Sequence, residues 1–331
     1  MPAFPFTFDK LLGQPRAKTL LQRAVAGGRL GHAFLLRGPF GVGKKRLATS
    51  FAAGLLCQRP AGADPCGTCG SCRKLVSGNH PDFLPVSADG ASIKINQIRE
   101  LQKQLAYPPF ESRRRLTLIA DIQLMGVEAA NSLLKTLEEP PADNVLLLTV
   151  DSASQPLATI SSRCQTIPCL PIESELVADF LIRELELAPT EAAALADLAE
   201  GSIGRAMRLR ESGMAELRRS VITCLETLTP EMPQAVETIF ALAARAAELK
   251  ELLPDFLDLL QLWLRDRLVL DTGHGELLRS GELLAVLGSR GKRWPPAEID
   301  LRQERIRQAK IRLRFNCNRA TVCESLFFSL L

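Results

Sequence analysis

The residues best suited to chemistry in this chain form a glycine-rich run, GPFGVGKK at residues 38–45. In the phosphate-binding pattern G-x-x-x-x-G-K-[ST], glycines let backbone N–H groups point at phosphate oxygens, the lysine reaches the β- and γ-phosphates, and the terminal hydroxyl ligates Mg²⁺. Lys44 is in place, but Lys45 stands where the hydroxyl belongs. The glycines of the run are Gly38, Gly41 and Gly43. We therefore predict a degenerate nucleotide loop, and whether it still holds ATP or ADP is left open.

A metal ion at such a loop also needs an acidic pair after a neighbouring strand. The first acid of the pair holds Mg²⁺ through water, and the second orients the attacking water. Those two positions here are Ala120 and Asp121, which follow the apolar run LTLI. The ion therefore loses two ligands, the hydroxyl at position 45 and the carboxylate at position 120. This pattern predicts a chain without ATPase activity of its own, and the alternative is a weakly active ATPase that tolerates Lys45.

Four cysteines form the strongest metal-binding pattern in the chain, with the spacing Cys57-x8-Cys66-x2-Cys69-x2-Cys72. Four thiolates satisfy tetrahedral Zn²⁺ and leave no open position, which is typical of a structural site. An iron–sulfur cluster is the competing interpretation, but a bacterial ferredoxin run needs a further cysteine three residues on. A third hypothesis, motivated by the adjacent Arg73 and Lys74, is a zinc-dependent DNA-binding module.

Arg163 follows the third predicted strand, within the run Ser162-Arg163-Cys164. An arginine beyond the end of a core strand can reach the nucleotide of a neighbouring subunit. Such a finger is worth about 10³–10⁵ in rate when it is supplied in trans. Taken alone, Arg163 is expected to be a surface ion-pair residue, so its role depends on the other motifs.

Strands that alternate with helices predict a parallel α/β sheet in the first half of the chain. The apolar patterns predict strands at 33–36, 116–120 and 145–150, and helices at 16–30, 45–56, 128–137, 173–187, 190–200 and 202–211. From about residue 213 onward all patterns are helical. We predict a core domain at 1–170 that includes a zinc module at 57–72, a helical lid at 171–212 and a helical domain at 213–331.

Composition sets limits on the class of protein. The 331 residues are 46% hydrophobic, and the formal net charge of +4 is too small to indicate nucleic-acid binding by itself. The N-terminus has no secretory pattern and no apolar run is long enough for a bilayer, so we expect a cytoplasmic protein with reduced cysteines. A basic stretch near the C-terminus is expected to be a solvated surface, and it comprises Arg302, Arg305, Arg307, Lys310, Arg312 and Arg314.

These motifs, in this order, resemble the clamp-loader branch of the AAA+ ATPases. The resemblance also rests on Gly13-Gln14 and on the run NSLLKTLEEPP at 131–141, and it is strong from residue 1 to about 210. It implies a RecA-like AAA+ core with a zinc-binding insertion, a small helical lid and a C-terminal all-α collar domain for oligomerisation.

The resemblance further implies a place in the bacterial DNA polymerase III clamp loader, part of a DNA-directed DNA polymerase. That complex is a five-subunit ring with gamma/tau-type ATPase and delta-type subunits, which opens a sliding clamp and places it on primed DNA. In this family the zinc is structural, and the arginine of the serine-arginine-cysteine motif, here Arg163, lies at the adjacent subunit's ATP. Lys45 and Ala120 fit a non-hydrolysing member. So does Gly204, where active members carry a sensing arginine, and Arg205 comes one place too late to replace it.

Overall fold

The computed structural model describes residues 4–27, 30–152, 158–229, 231–274, 278 and 294–331. The chain divides into two compact units, the first comprising residues 1–176 and 201–204 and the second residues 177–200 and 205–331. The three-part division at 170/171 and 212/213 stays a prediction. Among the described helices, none combines the length and the apolar character that crossing a bilayer requires.

The first unit is built on a sheet of five parallel strands in the order β2-β3-β4-β1-β5. The strands are β1 Ala33–Gly38, β2 Phe83–Val86, β3 Arg115–Ile119, β4 Asn144–Asp151 and β5 Gln165–Pro168. The central strands β3 and β4 are buried along nearly their whole length, as continuous apolar runs in a doubly covered parallel sheet should be. Since all five strands run the same way, their carboxyl ends meet at one edge and their amino ends at the other.

Six helices accompany this sheet: α1 Pro15–Ala26, α2 Lys44–Leu56, α3 Gly70–Val76, α4 Ile95–Leu105, α5 Val127–Glu138 and α6 Ala158–Ser161. Helices α4 and α5 bury Ile98 and Leu133 in an apolar cluster with Leu146 of the sheet. The predicted α/β class is therefore confirmed. Residues 28 and 29 of the predicted first helix lie outside the described residues.

Two strands and three helices of the first unit were not predicted from the sequence patterns. Strand β2 contains Pro85 and lies at the edge of the sheet, which is where proline is tolerated because it cannot donate to a neighbouring strand. Strand β5 has four residues, and Gln165 and Thr166 are exposed. Short, polar edge strands carry too little periodicity to be recognised locally. Helices α3, α4 and α6 were also missed.

The described residues of the second unit contain helices and loops but no strand, as predicted. The remaining α-helices among the described residues are α7 Ser174–Leu185, α8 Pro189–Leu198, α9 Ile203–Ser212, α10 Met214–Thr227, α11 Pro233–Ala247, α12 Leu253–Asp271, α13 Pro296–Arg314 and α14 Arg319–Leu330. The first residues of α7 and of α9 are assigned to the first unit. Residues 275–277 and 279–293 of the predicted helical region lie outside the described part.

The expectation that Arg302 is a solvated surface residue is wrong. Its side chain is buried, its guanidinium carbon lies 4.0 Å from the centroid of the Trp294 ring, and Nε donates to the Leu330 carbonyl at 3.0 Å. Arg267 is buried as well, and its Nη1 lies 3.0 Å from Oε2 of the buried Glu226. Arginine stacks on aromatic rings and forms planar hydrogen-bonded pairs, so these basic residues are part of the helical core.

Candidate nucleotide loop, metal centre and exposed arginine

The glycine-rich run forms a loop between β1 and α2 at the carboxyl edge of the sheet. Gly41 and Gly43 adopt φ angles of 70° and 99°, which only glycine reaches without strain. At position 38 a glycine is required by close packing, because a Cβ there would lie 2.2 Å from the Cys169 carbonyl oxygen. Backbone geometry and close packing thus account for all three glycines.

Lys44 is buried and bonded to its own loop. Its Nζ donates to the carbonyl oxygens of Gly38 at 2.7 Å and Pro39 at 2.6 Å. Burial lowers the pKa of Lys44, and the nearby carboxylates of Asp151 and Asp121 partly oppose this shift. The side chain of Lys45, one residue on, is exposed. These two bonds use two of the three N–H donors of the Lys44 ammonium.

The acidic residues near the loop come from two strands. Asp121 follows β3 in a left-handed conformation with φ 57°, and its N–H donates to Thr149 Oγ1 at 2.9 Å. Ala120 is buried and offers no metal ligand. Sequence reasoning missed Asp151, which ends β4 directly opposite Gly38 in the parallel register. An acid directly after the apolar run VLLLTV would have identified it.

Residues 201–204 contact the glycine-rich loop directly. Ser202 Oγ donates to the Phe40 carbonyl at 2.7 Å, and the Gly204 N–H donates to the Gly41 carbonyl at 3.0 Å. A Cβ at position 204 would meet Gly41 Cα at 2.7 Å. In this conformation, no side chain fits at position 204 unless the segment and the loop separate.

A cavity of about 470 Å³ lies beside α1, where the Gly13-Gln14 pair stands. The side-chain amide of Gln14 forms two hydrogen bonds with the backbone of Leu170. Nε2 donates to the Leu170 carbonyl at 2.6 Å, and Oε1 accepts from the Leu170 N–H at 3.0 Å. Apolar side chains such as Ile172 and Leu176 line this cavity. Arg16, Lys18 and Glu173 border it as well.

The structure brings the four predicted metal ligands together. The sulfur atoms of Cys57, Cys66, Cys69 and Cys72 all lie within 4.8 Å of one another, and the Sγ atoms of Cys57 and Cys69 are 3.9 Å apart. Four thiolates around one Zn²⁺ at about 2.3 Å would stand roughly 3.8 Å from each other. A hydrogen bond from the Thr68 backbone is the main reason why the pKa of Cys66 falls to about 5, whereas burial raises the pKa of Cys72. The set can hold a single metal ion.

Long-range contacts anchor this cysteine module to the sheet. Ser71 Oγ bonds the Leu56 carbonyl at 2.7 Å and lies 2.8 Å from Nε2 of the buried His80. The Asp82 N–H donates to His80 Nδ1 at 3.1 Å, so Nε2 carries the proton in the neutral ring. Burial lowers the pKa of His80, which favours that neutral form, and Glu111 and Asp82 oppose this shift. The metal module is therefore connected to the sheet through a serine and a histidine.

Asp82 lies at the centre of a second buried contact that sequence reasoning missed. Its carboxylate accepts from the backbone N–H groups of residues 110, 111 and 112 at 2.6, 2.9 and 2.8 Å, and Oδ1 lies 3.6 Å from Arg115 Nη2. Burial raises the pKa of Asp82, but the three N–H donors and Arg115 together lower it below its usual value. Lys74, considered above as a DNA contact, forms an ion pair with Glu111 instead.

Arg163 lies at the opposite edge of the sheet from the loop. It precedes β5, whereas Cys169, beyond the carboxyl end of β5, packs against Gly38. The four residues of β5 lie between Arg163 and Cys169, and a strand of that length spans about 13 Å. The Arg163 side chain is partly exposed, and Nη2 lies 2.6 Å from Glu138 Oε1. The structure thus gathers the loop, Asp121 and Asp151 at one edge and places Arg163 at the other.

Comparison with known proteins gives consistent matches. Residues 13–173 match the family model described as DNA polymerase III, delta subunit. The DNA polymerase III delta' subunit of Bacillus subtilis is 39% identical over 216 residues, which are 65% of this chain and 65% of that protein. The delta' subunit of Pseudomonas aeruginosa is 40% identical over 207 residues, 61% of this chain and 63% of that protein.

The tau subunit of Escherichia coli DNA polymerase III is more distant, at 32% identity over 280 residues. That match covers 77% of this chain and 43% of the tau subunit. The matched regions thus span less than two thirds of the length of each of these relatives. The region matched by the family model contains the sheet, the loop and the cysteine module. These matches support a delta-prime-type subunit of DNA polymerase III.

Proposed function

We propose that this chain is a non-hydrolysing subunit of the bacterial DNA polymerase III clamp loader and supplies Arg163 to the nucleotide of a neighbouring ATPase subunit. Its similarity to delta' and tau subunits supports assembly with gamma/tau-type and delta-type subunits in a five-membered ring. The ring opens a sliding clamp and places it on primed DNA. A cytoplasmic location accompanies this role.

The absence of hydrolysis follows from what surrounds the loop. Lys45 and Ala120 remove two supports for Mg²⁺, and a phosphoryl-transfer site without its metal loses both the geometry and the charge neutralisation it needs. At position 204, where active members of the family carry a sensing arginine, even a Cβ would collide with Gly41. Asp121 and Asp151 remain nearby, but neither replaces the lost hydroxyl.

The position of Arg163 carries the proposal that it acts in trans. It lies at the amino edge of the sheet, and the length of β5, about 13 Å, separates this edge from the edge that carries the chain's own loop. An arginine side chain cannot cover that distance. An exposed guanidinium at this edge can serve only a nucleotide held by another subunit, where it would stabilise the charge that develops on the transferred phosphoryl group.

For the cysteine module we propose one structural Zn²⁺. The 3.9 Å separation between Cys57 and Cys69 fits a tetrahedral thiolate set around one ion, whereas the thiolates of an iron–sulfur cluster bind different iron atoms. With four protein ligands the ion has no open position for substrate. Its contribution is to fix a loop that cannot bury an apolar core of its own.

The test is ATP hydrolysis by the complex reconstituted with clamp and primed DNA. We expect Arg163→Ala to lower hydrolysis at the adjacent site by about 10³-fold or more, and the purified chain alone to hydrolyse nothing. Arg23→Ala, which changes an exposed arginine on α1, is the matched control and should leave the rate unchanged. Normal hydrolysis in the Arg163→Ala complex refutes the trans role. Turnover by the isolated chain that is lost in Lys44→Ala supports the weakly active ATPase instead.

A further inference from the structure

The Arg163 guanidinium is held in place by three contacts within its own chain. Its Nη2 pairs with Glu138 Oε1 at 2.6 Å, and its Nη1 donates to the Thr159 carbonyl at 3.0 Å and to Ser162 Oγ at 3.3 Å. Glu138 is the last residue of α5, whereas the other two partners lie next to Arg163 in the sequence. Glu138 is therefore the only one of these three contacts that comes from a separate element.

These contacts leave part of the guanidinium available for a ligand. Arginine has five N–H donors, and the three contacts use one on Nη2 and two on Nη1. Among the described residues no partner is recorded for Nε–H or for the second Nη2–H, and these donors belong to neighbouring nitrogens joined through one carbon. Two parallel donors of this kind are what a bidentate contact with a phosphate requires. The side chains of Arg163 and Glu138 are 35% and 48% exposed, so the pair is open to a partner molecule.

We propose that Glu138 is a positioning residue for Arg163, an inference that rests on the proposed trans role of the arginine. The carboxylate fixes the side chain so that Nε–H and Nη2–H face outward before a neighbouring subunit arrives. A long, flexible side chain without this contact would have to be ordered during the reaction, and a misplacement of about 1 Å can cost 10²-fold in rate. Glu138 itself touches no nucleotide and takes no proton.

The geometry favours positioning over a purely structural role. An exposed pair between flexible side chains adds little to the stability of a fold, and α5 is already fixed by its buried face, which includes Leu133 and Leu137. The next residue, Glu139, has the same charge and is exposed. Among the described residues no side-chain partner of Glu139 is recorded, so it serves as a matched control.

The experiment measures kcat and KM for ATP in the reconstituted complex with clamp and primed DNA. We expect Glu138→Ala to lower kcat roughly tenfold, a part of the finger's total effect, with KM changed less than about twofold. Glu138→Gln keeps an oxygen acceptor at the same position and should recover most of the rate. Glu139→Ala should match the unaltered chain. In the double variant Glu138→Ala/Arg163→Ala, kcat should fall no further than in Arg163→Ala alone, because the two residues act as a unit.

The outcomes separate this inference from the proposed function. If Arg163→Ala leaves kcat unchanged, the trans role itself fails. If Arg163→Ala lowers kcat but Glu138→Ala behaves like Glu139→Ala, only the positioning role is overturned. A higher kcat in Glu138→Ala overturns it too, because the carboxylate would then restrain the arginine. Multiplicative losses in the double variant, or a melting temperature of the Glu138→Ala chain that falls by more than about 5 °C, would assign the effect to a structural change elsewhere.

Discussion

Gly204→Ala is the substitution that tests the contact between residues 201–204 and the phosphate loop. The added Cβ would meet Gly41 Cα at 2.7 Å and the Gly41 carbonyl oxygen at 3.2 Å. Both atoms belong to the backbone, so no side-chain rotation can relieve the clash. The hydrogen bond from the Gly204 N–H to the same carbonyl has to lengthen when the loop moves.

Two opposing effects decide the sign of the change in stability. Gly204 lies in the first turn of α9, and replacing a helical glycine by alanine normally stabilises by roughly 0.5–1 kcal/mol. Forcing an additional carbon into a packed site costs about 1–3 kcal/mol. We expect the second effect to prevail and the free energy of unfolding to fall by about 1–2 kcal/mol. For a unit of this size the melting temperature should then fall by roughly 2–8 °C.

The assay is thermal and urea unfolding followed by far-UV circular dichroism. Tryptophan fluorescence is unsuitable, since both tryptophans, Trp263 and Trp294, lie in the second unit. Hydrogen exchange at residues 38–44 should show faster exchange in Gly204→Ala if the loop has been displaced. Gly126→Ala is the control, because a Cβ there meets nothing within 4 Å, and its effect should stay within about 0.5 kcal/mol. A Gly204→Ala chain that is more stable than the parent would refute the close contact.

Three further predictions concern the metal module and the buried groups beside it. Cys72→Ser should lower bound zinc from about one equivalent per chain to well below half, measured by mass spectrometry of the metal after dialysis, because a tetrahedral thiolate site loses a ligand. Asp82→Asn should lower the free energy of unfolding by about 2–4 kcal/mol in urea titrations, since an amide NH₂ replaces one of the oxygens that accept three N–H groups; a loss below 0.5 kcal/mol would contradict the buried network. The lowered pKa of His80 means that the unfolded chain binds the proton more readily. Its contribution to stability is therefore complete above about pH 6.5 and declines as the pH falls through and below that value. His80→Gln should flatten this part of the stability profile, while His274→Gln, at an exposed histidine, should not.

Much of the first unit could be predicted from local patterns. The strands at 33–38, 115–119 and 144–151 are apolar runs that differ from the predicted ranges by one or two residues at their ends. At position 204 the structure shows a packing constraint that the sequence motif does not contain. The family pattern has a sensing arginine at this position, whereas in the fold a glycine is required because α9 begins in contact with Gly41. That contact joins residues more than 160 positions apart, so no local pattern contains it.

The sequence by itself was enough to predict the motifs whose residues lie close together along the chain. Four cysteines within 16 residues predict a metal site, and GPFGVGKK predicts a phosphate loop without its hydroxyl, because ligand and backbone requirements act over a few neighbouring residues. Only the tertiary structure decided where these groups lie. Parallel pairing sends Arg163 to one edge of the sheet and the loop to the other, and it brings Glu138 to the arginine and Asp151 to the lysine. Such arrangements depend on the order and direction of strands distant in sequence, which hydrophobic periodicity alone does not encode.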